Sequence, residues 1–89
     1  MKPELNRKAT EAAGTDVYSV TVANVTIFSE QSKNDGTWVA YYDLAKRHCV
    51  TENRPAMYDA IKLGILSLAG DGKSITDAAW RAISLLECE

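Results

Sequence analysis

His48 and Cys49 stand side by side and are the residues most easily read as chemistry. A thiol and an imidazole can act as nucleophile and base, provided that the two side chains meet. On a strand, adjacent residues point to opposite faces and cannot meet; only a loop leaves that geometry open. Metal binding is served no better. One histidine and two cysteines, with Cys49 and Cys88 far apart, fall short of a structural zinc's ligand set unless two copies share the ion. Gly70-Asp71-Gly72-Lys73-Ser74 ends like a phosphate-binding loop. That loop needs a further glycine at the position Ser67 holds and a strand ahead of it, whereas a helix precedes here. The segment reads as a turn between helices. Asp43, Glu52 and Asp59 make an acid–base set only on paper, since nothing in their spacing fixes a separation. No catalytic set, cofactor site or metal site is expected, and the chain reads as a non-enzyme.

Nucleic-acid contact has one foothold. Lys46-Arg47 is a basic doublet near Trp38, Tyr41 and Tyr42, and such a group can stack bases and hold a single strand. Ten basic against twelve acidic side chains give a net charge of −2, which offers phosphates no general attraction. The last two helices are not a convincing helix-turn-helix, because the second carries only Arg81 beyond Lys73 at its lip.

The elements that must position these residues are easier to see. Eighty-nine residues make a single domain, because half that length could not bury a core. An apolar fraction of 46% and a charged fraction of 25% are those of an ordinary globular chain. At this size the core gives marginal stability, so a second copy or another tight partner is expected to help. No apolar leader opens the sequence and no run approaches the roughly 20 residues of a membrane span, so a cytoplasmic setting with reduced thiols is expected.

Residues 1–16 read as a mobile arm or a short helix, with Leu5, Ala9, Ala12 and Ala13 as a thin stripe. Val17–Ser29 is dense in β-branched residues and reads as strand. Its alternation changes phase: Tyr18, Val20 and Val22 share one face, Val25 and Ile27 the other. A bulge near Ala23-Asn24 would restore all five to one side, with two short strands as the alternative. Asp35-Gly36 suits a turn, so a hairpin leads into a strand with Trp38, Ala40 and Tyr42 on one side and Thr37, Val39 and Tyr41 on the other. Bulk on both sides means double cover or a face kept for another protein. Cys49–Glu52 is the candidate for one more strand.

A helix follows, capped by Asn53 with Pro55 in its first turn and closed by Gly70-Asp71-Gly72. Met57, Ile61, Gly64, Ile65 and Leu68 cluster on one side of its wheel, away from Leu63 and Leu66. Gly64 costs about 1 kcal/mol against alanine and is expected to allow close approach of another element. Ser74 then caps a second helix, with Asp77 completing a Ser-x-x-Asp signal. Ile75, Ala79, Ala82, Ile83 and Leu86 form its stripe, flanked by Trp80 and Leu85. Acid at its end disfavours the last turn. The fold class expected is α+β: a small antiparallel sheet of two or three strands, with a long N-terminal hairpin, packed against two C-terminal helices.

Gly36, Trp38-Val39-Ala40, Asp43-Leu44, Cys49-Val50-Thr51-Glu52 and the helix from Asn53 form an ordered series. In this series residues 36–69 resemble the N-terminal domain of HicB-type antitoxins, where a Gly-aromatic-Val-Ala strand, an Asp-Leu-Pro-Gly-Cys turn and a Val-Thr-Glu-Gly step precede a helix. Ala45-Lys46-Arg47-His48 stands where that family has Pro-Gly, and Asn53-Arg54 where it has Gly-Asp. The resemblance implies a small curved sheet backed by helices, and binding to a small RNA-cleaving toxin. The function expected is that of a non-enzymatic protein-binding module that inhibits or regulates a partner, either a HicB-like antitoxin or a phage- or plasmid-type accessory inhibitor. Trp38, Tyr41, Tyr42, Lys46, Arg47, Leu63 and Leu66 are the expected contact residues. A toxin or host enzyme is the expected partner, and a homodimer is also open. The alternative is a nucleic-acid-associated regulator working through Lys46, Arg47 and the N-terminal arm.

Overall fold

The computed structural model describes residues 2–42, 56–71 and 75–87. The expected strand at Cys49–Glu52 and the caps Asn53 and Ser74 lie outside those residues, as do Gly72 and Lys73. In chain order come β1 (Glu4–Leu5), α1 (Arg7–Ala13), β2 (Val17–Val22), β3 (Val25–Gln31), β4 (Trp38–Tyr41), α2 (Met57–Asp71) and α3 (Thr76–Glu87). The fold is α+β. Its strands form one antiparallel sheet in sequence order, β1-β2-β3-β4. Among the described residues four strands stand where two or three were expected, because the N-terminal segment contributes β1 and the run from Val17 splits in two.

That split replaces the expected bulge with its alternative, two short strands. Ala23 and Asn24 have φ values of 50° and 67°, and Val22 pairs with Val25 across them. Two successive positive φ values mark a tight hairpin turn whose twist matches that of the strands. The chain reverses instead of kinking, and the reversal sets Val20 opposite Ile27. All five residues of the broken alternation thus reach one face. The second hairpin turns at Gly36, φ 74°, where Asp35 Oδ1 accepts from the Thr37 backbone N–H at 3.0 Å. Ser32 N–H bonds the Thr37 carbonyl at 2.8 Å and closes the loop.

Residues 4–14 are tied down. Asn6 caps α1, its Oδ1 accepting from Ala9 N–H at 3.0 Å, and Gly14 closes it at φ 73°. Thr10 Oγ1 accepts from Val17 N–H at 3.0 Å, and Asn6 N–H donates to the Val17 carbonyl at 2.8 Å. These bonds fasten α1 to the start of β2 and satisfy backbone groups that a frayed end would leave to water.

α2 and α3 cover one face of the sheet. Val20, Val22, Ile27 and Ala40 pack there with Ala60, Ile61, Ile65 and Leu68 of α2 and with Ala79, Ala82 and Leu86 of α3. Gly64 belongs to the same contact: a Cβ placed on it would lie 3.1 Å from Ala40 Cβ and 3.2 Å from Ile27 Cγ2. The missing side chain lets α2 settle against β3 and β4. α2 runs on through Gly70 to Asp71, so Gly70 sits within the helix and does not close it. No helix among the described residues is long and apolar enough to cross a membrane.

Candidate functional site

β4 carries the aromatic group. Alternation sends Trp38, Ala40 and Tyr42 toward the helices and Val39 and Tyr41 to the opposite face. Ala40 is fully buried, and Trp38 and Tyr42 pack half-buried at the margin of the core. The Trp38 ring meets Tyr18, with centroids 6.1 Å apart and planes tilted at 58°. Tyr41, on the other face, is only 1% exposed and stacks on Phe28 at 5.5 Å and 25°. Register explains the pairing, since Phe28 and Tyr41 are direct cross-strand neighbours. The contact role expected of Tyr41 thus gives way to packing, because almost none of its surface is open to a partner.

Leu63 and Leu66 lie where the wheel places them. α2 turns Ala60, Ile61, Ile65 and Leu68 inward, which leaves Leu63 42% and Leu66 37% exposed. Positions three apart are neighbours on a helix surface, so the two leucines form one apolar spot. α3 also exposes two large apolar side chains, one on each flank of its stripe. With Ala79, Ala82 and Leu86 buried, Trp80 is 57% and Leu85 44% exposed. Single exposed apolar residues are ordinary; here each of two packed helices turns two large apolar side chains toward solvent.

Of the expected contact residues, Trp38, Tyr42, Leu63 and Leu66 are surface or half-surface residues on the helix side of the sheet. Lys46 and Arg47 lie outside the described residues, and so do His48, Cys49, Cys88, Asp43 and Glu52. Asp59 is exposed in the first turn of α2. Trp80 was not among the expected contacts, although its place beside the α3 stripe was its signal: a tryptophan outside a stripe that already closes the core has nowhere to bury. Among the described residues no group of three or more His, Cys, Asp or Glu could hold a metal. Every buried polar side-chain atom among them has a hydrogen-bond partner.

Comparison with family models, curated proteins and solved structures found no match. The reading of function therefore rests on this surface.

Proposed function

We propose that the chain is a small non-enzymatic protein-binding module that inhibits or regulates a partner protein. One observation carries the reading: the helix layer turns Leu63, Leu66, Trp80 and Leu85 outward while its opposite side is already committed to the sheet. A helix pair that seals a core and still offers tryptophan and leucine to solvent has the composition of a binding face, where buried aromatics supply most of the affinity. The net charge of −2 favours a protein over nucleic acid as the partner. The antitoxin-like or accessory-inhibitor role belongs to this proposal, with a toxin or host enzyme as its object.

The test is affinity capture with the tagged chain from nuclease-treated lysate, using the intact protein and Trp80→Ala. Truncating an interface tryptophan costs about 2 kcal/mol or more, so retention of the specific partner should fall roughly 30-fold at unchanged thermal stability. Loss of the partner on nuclease treatment, or equal retention by the variant, would overturn the reading; the first outcome would favour the nucleic-acid-associated alternative.

A further inference from the structure

On the side of the sheet away from α2 and α3, a half-open cleft of about 370 Å³ lies between α1 and the strands. Its floor is the half-buried Phe28 ring, backed by the buried Tyr41 stacked against it, and its wall is Ala9, Ala12 and Ala13 of α1. α1 buries none of its residues. Its sheet-facing side ends in methyl groups, and the room a leucine would take stays open beside the half-buried Phe28 ring.

The polar lining is sparse and mostly committed. Asn6 donates from Nδ2 to Ser19 Oγ at 3.3 Å and accepts at Oδ1 from Ala9 N–H. Lys8 supplies the one charge among the described lining residues. An apolar slot over stacked rings with a single cation at its rim selects a flat apolar body bearing one negative charge. We propose that this cleft is a binding site for a small aromatic carboxylate. Its ring lies on the face of Phe28 turned away from Tyr41, beneath the alanines, and its carboxylate pairs with the Lys8 ammonium. The volume sits near the lower end of the usual range for small-molecule sites, which suits one fused ring system. The site is independent of the protein-binding surface, which lies across the sheet, so either reading can fail alone.

Naphthoate is a suitable probe, followed by backbone amide NMR shifts of the intact protein, with naphthylmethylamine and naphthalenemethanol as the cationic and neutral counterparts. Saturable shifts are expected at Ala9, Ala12, Ala13 and Phe28, with the amine bound about tenfold more weakly than the carboxylate. Lys8→Gln should weaken naphthoate by up to about fivefold, the scale of an exposed ion pair, and leave the alcohol unchanged. Ala12→Leu should fill the cleft and abolish binding; Ala12 is exposed, so the fold should survive, and the same spectra report it. If that variant fails to fold, the carboxylate-against-amine comparison on the unaltered chain still decides. Shifts that do not saturate, equal binding of carboxylate and amine, or full binding by a folded Ala12→Leu would each overturn the proposal.

Discussion

Ala23 holds a backbone conformation that alanine seldom adopts. Its φ of 50° places a Cβ near the following carbonyl, at a cost of roughly 1–2 kcal/mol, whereas Asn24 at 67° tolerates the same region better. Changing the pair to Asn-Gly (Ala23→Asn with Asn24→Gly) should therefore stabilise the protein by about 1 kcal/mol, or ~4–8 °C in thermal midpoint for a domain of this size. An unchanged or lower midpoint in a thermal melt would mean that the turn is not strained. The same two residues explain why the hairpin was hard to read. Turns of this kind are recognised by Asn-Gly or Asp-Gly, and Ala-Asn inside a β-branched run looks like continued strand. The break in alternation was visible; its cause was not. Tyr41 was ambiguous for a different reason, because alternation gives the face a side chain points to and not what covers that face.

Two glycines in α2 make a matched pair at the level of the element. Gly70 has nothing within 4 Å of where a Cβ would stand, whereas the Cβ of residue 64 would press on Ala40 and Ile27. Helix propensity favours alanine at both by up to about 1 kcal/mol. Gly70→Ala should realise part of that gain, moderated by its place near the helix end. Gly64→Ala should lose it to overpacking, which costs typically about 1–3 kcal/mol, and so come out net destabilising. Urea denaturation of the two variants checks the pair: stabilisation by both would contradict the close approach of α2 to the sheet. This element was legible before its neighbours were known. A glycine in the middle of an apolar stripe already costs the helix stability, so it implies close packing. α1 was legible only in part. Its cap Asn6 and its closing Gly14 are in the sequence, but an alanine stripe does not say whether a helix docks or frays. What fastens it is the pair of bonds to Val17, which no local pattern announces.

At the scale of the whole molecule, the described residues form a four-stranded sheet with two helices on one face and a short helix on the other. The helix layer carries the proposed binding surface. Its inner side follows from the helical stripes at Ile61, Ile65 and Leu68 and at Ala79, Ala82 and Leu86, and those stripes also isolate Leu63 and Leu66. Trp80, outside the stripe that closes the core, is left 57% exposed once α3 is docked. If this outer surface binds a partner, charge placed on it should remove binding without unfolding the chain. Leu63→Lys with Leu66→Lys should lower partner retention by about tenfold or more while shifting the thermal midpoint little, since both side chains already face water. A large fall in the midpoint would instead make them packing residues.

The central claim, that the outer side of the helix layer meets another protein, is tested most directly by position-specific photocrosslinking in cells. A benzophenone side chain at Leu66 should give a discrete protein adduct that survives nuclease. The same group at Thr21, exposed at the far end of β2, should give none. No adduct at position 66, equal adducts at both positions, an adduct destroyed by nuclease, or one of only twice the chain's own mass would contradict the account.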